Sequence, residues 1–185
     1  MKAFLRHIRR FFLVIFIHLL ANILPDPAFA QPEQAREYEI KATFVYHFTK
    51  YIRWPDIDSA ETFDIGILGK SEITAPLEEI ARKRSAYDKR IRILHFNSIR
   101  HVEDCRLLFI PSSEKENLQE ILSAVENKSI LTVGESEGFA REGVAINFII
   151  LEGKTKFELN SRVIDRAGLQ VSSQLIKLAI LIEQE

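Results

Sequence analysis

Apolar side chains recur at helical spacing in the first part of the chain that follows its apolar leader. Residues 35–53 place Tyr38, Ala42 and Val45 three or four positions apart, and this spacing predicts an amphipathic helix. Pro55 ends the helix, because the residue before a proline avoids the α region.

Short apolar runs then alternate with further helical patterns. Strand patterns cover residues 63–68, 90–96, 105–110 and 129–133. Helix patterns cover residues 71–84, the segment after a Ser-x-x-Glu capping box at 113–116, and residues 161–167. A last helix begins at Ser172 and carries Leu175, Leu178, Ala179 and Ile182. Each pattern has the apolar period and the flanking residues of its class.

Residues 144–151 and 154–159 are two apolar runs joined through Glu152-Gly153, which predicts a β-hairpin. Both hairpin faces look apolar, so one packs on the core and the terminal helices or a partner covers the other. The whole pattern predicts an α/β fold: a layered, mostly parallel sheet with helices on both faces and an antiparallel edge hairpin.

The first thirty residues resemble a leader rather than part of the fold. A basic start, with Lys2 and Arg6, precedes an apolar run of 14 residues, 11–24, and the small-x-small site Ala28-Phe29-Ala30. As a helix the run spans about 21 Å, short of the roughly 30 Å hydrocarbon core. We therefore expect a signal peptide, residues 1–30, cleaved after Ala30, and an exported single domain over 31–185. An uncleaved N-terminal anchor is the alternative.

Composition and charge exclude several function classes. The 185 residues carry 25 Lys and Arg against 26 Asp and Glu, a net charge of −1, so the basic surface that nucleic acids need is missing. Cys105 has no partner cysteine for a disulfide within the chain. His47, His95 and His101 lack the spacing of a metal site. We expect no metal, no cofactor and no nucleic acid.

Catalytic motifs are incomplete. Residues 134–138 match Gly-x-Ser-x-Gly around Ser136, but no histidine follows His101 to complete a triad in the usual order. Glu135 and Glu137 would also repel a developing oxyanion beside that serine. An acidic surface loop is the simpler interpretation, and we expect no catalytic residues.

One ordered series of motifs carries a family resemblance. Residues 41–55, Lys-Ala-Thr-Phe-Val-Tyr-His-Phe-Thr-Lys-Tyr-Ile-Arg-Trp-Pro, resemble the opening signature of the YfiR family of periplasmic proteins. Further stretches agree in the same order, among them residues 105–110, 146–148, 156–160 and 167–175. The resemblance spans almost all of the chain after the leader.

This resemblance implies a repressor rather than an enzyme. YfiR-like proteins bind the periplasmic sensor region of an inner-membrane diguanylate cyclase, lower cyclic di-GMP and so restrain biofilm formation, and members often form homodimers. Members often carry a cysteine where Gly66 stands, paired with the one at Cys105, and some carry a second disulfide near Ala140 and Asn147. Neither bridge can form within this chain.

A repressor of this kind needs a small apolar patch with a polar rim. We expect partner contacts, with core packing as the alternative at each position, from Ile146, Phe148, Ile150, Phe157, Glu158, Ile164 and Ile182. A second hypothesis is a periplasmic small-molecule sensor module that acts on another membrane signalling protein or transporter. Its ligand would bind near Arg53, Gln170 and Ser172.

Overall fold

The computed structural model describes residues 30–55 and 57–182. Apart from Ala30, the predicted signal peptide lies outside these residues. Contacts group the chain from Ala35 onward into one compact unit. Among the helices described, none is long and apolar enough to cross a membrane.

The α-helices of the described residues alternate with strands over most of the chain. The helices are α1 (Ala30–Tyr51), α2 (Thr74–Lys83), α3 (Leu118–Ala124), α4 (Phe139–Glu142), α5 (Ser161–Arg166) and α6 (Ser173–Ile176). The strands are β1 (Ile52–Arg53), β2 (Thr62–Leu68), β3 (Ser85–Ala86), β4 (Lys89–Phe96), β5 (Leu107–Ile110), β6 (Leu131–Gly134), β7 (Ile146–Leu151), β8 (Lys154–Leu159), β9 (Gln170–Val171) and β10 (Ile180–Leu181).

Eight strands form one sheet in the order β10-β8-β7-β6-β5-β2-β4-β3, and β1 pairs with β9 in a separate two-stranded sheet. The central strands β4, β2, β5, β6 and β7 are parallel. The β7–β8 and β3–β4 pairs are antiparallel. The predicted α/β class and mostly parallel sheet with an antiparallel hairpin are confirmed.

Helices pack on both faces of this sheet. Along β5, Leu107 and Phe109 belong to one buried cluster, and Leu108 and Ile110 belong to another. Successive side chains of a strand point to opposite faces, so the two clusters lie on opposite sides of the sheet. Buried residues of α2, α5 and α6 join the first cluster, together with the inner face of α1, and those of α3 and α4 join the second.

An aromatic cluster fixes α1 onto the hairpin. Phe48 of α1 lies 5.3 Å from Phe157 of β8 and 5.9 Å from Phe148 of β7, measured between ring centroids. Phe44, one helical turn earlier, lies 5.6 Å from Phe157. Side chains four residues apart share a helix face, so the apolar stripe read from the sequence is the face that covers β7 and β8.

The C-terminal helix begins as predicted, with Ser172 as its N-cap, but it is shorter than predicted. Helix α6 ends at Ile176, and Ile180–Leu181 adds a parallel strand beside Glu158 and Leu159 of β8. A hairpin at the sheet edge would leave β8 with unpaired backbone groups, and β10 satisfies part of that edge. The hairpin is therefore one strand inside the edge.

Three helix boundaries also differ from the prediction. Helix α1 ends at Tyr51, because Ile52–Arg53 pairs with Gln170–Val171, far along the chain. Helix α2 begins at Thr74 rather than at residue 71. The expected capping box is absent: Ser112–Asn117 forms a 3-10 helix with no side-chain cap hydrogen bond.

Candidate functional site

One face of the hairpin end of the sheet remains partly exposed. The strand register aligns Asn147, Glu158 and Ile180 across β7, β8 and β10, so their side chains point to the same face. By alternation this face lies opposite the aromatic cluster. We call it the hairpin face and define it by Ile149, Leu151, Glu158, Ile180 and Ile182.

The hairpin face combines apolar side chains with a fixed charge. Leu151 is 47% exposed and Ile180 is 37% exposed, and both belong to strands of the sheet. The Asn147 Nδ2 atom donates a hydrogen bond of 2.9 Å to Glu158 Oε2. Asn147 itself is fully buried, so the Glu158 carboxylate is oriented by a buried neighbour on β7. The face presents apolar anchors around an oriented negative charge.

The predicted partner contacts divide by burial. Ile146, Phe148, Phe157 and Ile164 are at most 2% exposed and belong to the core cluster under α1. Their burial agrees with the core-packing alternative, because these side chains pack in the cluster that α1 covers, and a part of these four in partner binding stays a prediction.

The remaining predicted contacts can be reached from solvent. Ile150 is 55% exposed, and Glu158 and Ile182 are partly exposed. Their part in partner binding stays a prediction. Leu151 and Ile180 are not among the predicted contacts. Alternation does not show which face of the hairpin α1 covers, and Ile180 lies in a segment predicted as helix that instead pairs with β8.

The three predicted ligand residues meet in one hollow. Arg53 pairs with Gln170 across β1 and β9, and the Ser172 backbone N–H donates to the Tyr51 carbonyl at 2.8 Å. The hollow measures about 360 Å³, and Tyr87 lines it as well. Burial raises the pKa of Tyr87.

The residues that line this hollow have the chemistry to hold a small anion. Arg53 is exposed there, and Gln170 carries an exposed amide. A guanidinium and an amide can together bind a small carboxylate. The Ser172 Oγ atom is already engaged, since it accepts the Leu175 N–H at the start of α6. Ligand binding at these residues stays a prediction.

A buried charge cluster at the end of β6 was not expected from the sequence. Lys41 Nζ lies 2.7 Å from Glu135 Oε2 and 2.6 Å from Glu37 Oε1. The Tyr38 hydroxyl donates to Glu135 Oε1 at 3.3 Å. The Glu135 side chain is only 4% exposed, so the interpretation of this segment as an acidic surface loop is wrong for Glu135.

The ionised state of Lys41 is stable in this cluster. Burial opposes the charge, but the hydrogen bonds to Glu135 and Glu37 outweigh burial and raise the pKa of Lys41. The ammonium therefore serves to neutralise two carboxylates. In the sequence, Lys41 lies beside Ala42 of the apolar helix stripe, and this position indicates that the lysine could be buried and need an acidic partner.

Cys105 is a buried thiol. It is 3% exposed, and its Sγ atom donates to the Val102 carbonyl at 3.1 Å. Burial raises the pKa of Cys105 to about 12, so the thiol is neutral at physiological pH. Within the part of the chain that the structure describes, no group of three or more His, Cys, Asp and Glu could hold a metal ion.

Comparison with known proteins points to one family. The YfiR/HmsC-like family model matches residues 38–180, most of the chain and all of the elements from the middle of α1 to β10. No curated protein matches the chain.

One solved structure shows a similar fold at low sequence identity. A conserved domain protein from Vibrio cholerae O1 biovar El Tor str. N16961 has a TM-score of 0.51 and 11% identity, over 77% of this chain and 60% of that one. An ABC domain from Streptococcus pneumoniae, in complex with L-Trp, has a TM-score of 0.49 and 10% identity, over 65% of this chain and 55% of that one. The chain thus spans 55–60% of the length of these two solved chains.

Proposed function

Because this chain belongs to the YfiR/HmsC-like family of periplasmic regulators, we propose that it is a periplasmic negative regulator of an inner-membrane diguanylate cyclase. It binds the periplasmic sensor region of the cyclase, lowers cyclic di-GMP and so restrains biofilm formation. The family is regulatory rather than catalytic, in line with the incomplete catalytic motifs. We also propose that residues 1–30 are removed on export, leaving 31–185 as a single domain.

The observation that supports this proposal is the hairpin face. Leu151 and Ile180 expose apolar surface on an ordered sheet rather than on a mobile loop. Small interfaces obtain most of their binding free energy from a few such anchors near the centre of the contact. Lys154 and Lys156 are exposed and share the face by register, so they supply a polar rim.

Glu158 gives the face its specificity. Its hydrogen bond from Asn147 holds the carboxylate in one orientation, so binding costs little side-chain entropy. We expect a basic or hydrogen-bond-donating group of the cyclase sensor region to contact it.

The test combines capture with a cellular assay. Tagged protein should capture a diguanylate cyclase from membranes of its source, and deleting its gene should raise cyclic di-GMP. The double substitution Leu151→Asp with Ile180→Asp should abolish capture and raise cyclic di-GMP as the deletion does. Gln119→Asp, which adds an acid at an exposed position of α3, is the matched control and should behave as the parent.

The possible outcomes distinguish an error in the repressor function from an error in the choice of the hairpin face as binding surface. If the parent captures no cyclase and deletion leaves cyclic di-GMP unchanged, the repressor proposal is wrong. If the parent represses and the double variant represses equally well, the function stands and the hairpin face is not the binding surface. Circular dichroism and a melting curve confirm that each variant is folded.

The hollow at Arg53 supports a second candidate function, a small-molecule sensor module. Three residues proposed from the sequence line one hollow of about 360 Å³ with a cation at its rim. Thermal-shift screening against small carboxylates and amino acids tests it. We expect a compound that raises the Tm of the parent and not that of Arg53→Ala; no shift with any compound would contradict the sensor function.

A further inference from the structure

Strand β4 has a long free edge. On one side it pairs with β2 from Arg90 to Phe96. On the other side β3 pairs only with Lys89 and Arg90. Among the described residues, no strand covers that side of β4 beyond Arg90. An edge of this length is a template for another extended chain.

The direction of the free backbone groups follows from the turn before β4. Tyr87 and Asp88 have φ values of 53° and 57°, the left-handed conformations of a type I′ turn, whose flanking residues form a hydrogen-bonded pair. Lys89 therefore faces β3, and by alternation Ile91, Ile93 and His95 also face outward. The Phe96 carbonyl accepts the Gly69 N–H at 2.8 Å. By the same alternation, the backbone groups of Arg92 and Leu94 face β2, as those of Phe96 do.

A groove runs along this edge. Helix α2 forms its wall through Glu78, Ala81 and Arg82, and residues 90–93 of β4 form its floor. The hollow measures about 710 Å³. A sheet edge beside a helix is the arrangement in which an added strand pairs its backbone with the sheet and packs its side chains against the helix.

The groove carries uncompensated positive charge. Arg82 and Lys83 share Glu79, Arg92 pairs with Asp64, and Glu78 on the wall lies 3.5 Å from His95 Nε2. Within the described part of the chain, Arg84 and Arg90 form no ion pair, and both line the groove and are exposed. The charge therefore favours an acidic occupant.

We propose that the groove beside β4 binds an extended, acidic segment of a partner protein as an added strand. Backbone pairing supplies the affinity, and Arg84 and Arg90 select acidic side chains. Lipid headgroups and glycans share the negative charge but do not present N–H and C=O groups at strand spacing, so a peptide fits the edge better. This surface lies at the opposite edge of the sheet from the hairpin face. The proposal does not rest on the repressor function.

The first experiment measures which amides the occupant protects. The probe is a short synthetic peptide of alternating Glu and Val, added to the exported protein and followed by amide hydrogen exchange. We expect new protection at Ile91, Ile93 and His95 and no change at Arg92 and Leu94, whose backbone groups already face β2. Protection without this alternation, or no binding, would overturn the proposal.

A second experiment separates backbone pairing from charge. A peptide of the same sequence, N-methylated at alternate residues on its pairing side, keeps its charge and loses its donors. We expect it to bind at least about tenfold more weakly; equal binding would mean that charge alone acts and would overturn strand addition.

Charge reversal completes the test. Arg84→Glu with Arg90→Glu should weaken peptide binding about three- to tenfold, the range expected for two exposed charge pairs. Lys115→Glu, at an exposed position outside the groove, is the matched control. If both variants weaken binding equally, the arginines have no specific part, and selection of an acidic partner by this groove is refuted.

Discussion

At the scale of single residues, Gly66 stands where the family resemblance implies a cysteine that pairs with Cys105. A Cβ atom placed on Gly66 would lie 2.9 Å from Cys105 Sγ, a separation suited to a disulfide between β2 and the segment that precedes β5. The same Cβ would lie 2.4 Å from Phe96 Cε2. The Phe96 ring therefore occupies space that a second cysteine would need.

A disulfide should form when that space is opened. We predict that Gly66→Cys with Phe96→Ala forms an intrachain bridge under oxidising conditions and gains about 2–4 kcal/mol over its reduced form, because the bridge closes a loop of roughly 40 residues. Thiol titration and melting curves with and without dithiothreitol measure this. Phe96→Ala alone should show no response to reductant, and two free thiols after oxidation would contradict the prediction.

Cys105 in the unchanged protein should be nearly inert. Its pKa of about 12 compares with an ordinary value of 9.0, so the unfolded thiol ionises first. Stability is therefore lost as the pH rises from 9 towards 12. At pH 8 we predict alkylation by iodoacetamide at least about 100-fold slower in the folded protein than in urea, followed by mass spectrometry. Similar rates in both states would show that the thiol is accessible.

Lys41 should contribute strongly to stability through Glu135. The two side chains are 7% and 4% exposed, so Lys41→Met leaves a buried carboxylate without its cation. We predict a loss of about 3–5 kcal/mol in the free energy of unfolding, measured by urea denaturation. Lys41→Met with Glu135→Gln should recover part of the loss. Lys50→Met, at the exposed end of the same helix, is the control and should cost under about 1 kcal/mol.

At the scale of elements, the sequence pattern predicted those helices and strands whose formation depends on neighbouring residues. The α1 stripe and the buried parallel strands came from period and flanking residues alone. The strand after Ile176 could not be predicted in this way, because the apolar residues of that segment fit a helix as well as a strand. Pairing with β8 decides between them, and a single sequence does not show which edge is open.

The candidate sites divide in the same way. Arg53, Gln170 and Ser172 are the ligand residues of the sensor hypothesis, and the β1–β9 pairing brings them together. The hairpin residues were chosen by alternation, which identifies two faces but not which one the helix covers. Phe44 and Phe48 decide that question through contacts distant in sequence.

Helix α1 should lose its attachment to the hairpin when one ring is removed. Phe48 is fully buried among Phe148, Phe157 and the rest of the core. We predict that Phe48→Ala lowers the free energy of unfolding by about 3–5 kcal/mol. Ile40→Ala, at a residue of the same helix that is 38% exposed, should cost under about 1 kcal/mol. Equal costs, measured by urea denaturation, would contradict the packing described for α1.

At the scale of the whole molecule, the two proposed surfaces lie near opposite edges of one sheet. The strand order places β8, β7, β6, β5 and β2 between β10 and β4. At about 4.8 Å per strand, the two edges are roughly 29 Å apart. Because a packed parallel core separates them, the two proposed surfaces are far enough apart for two partners to bind at once.

The two surfaces should act independently unless a conformational change links them. Substitutions more than about 10 Å apart and without shared contacts add in free energy. We therefore predict that Leu151→Asp with Ile180→Asp leaves the affinity for the acidic peptide unchanged, and that Arg84→Glu with Arg90→Glu leaves cyclase capture unchanged. The four-substitution variant should lose both activities additively. Peptide binding that changes cyclase capture in the parent would instead show coupling between the two sheet edges, and a rigid sheet would no longer describe how the regulator works.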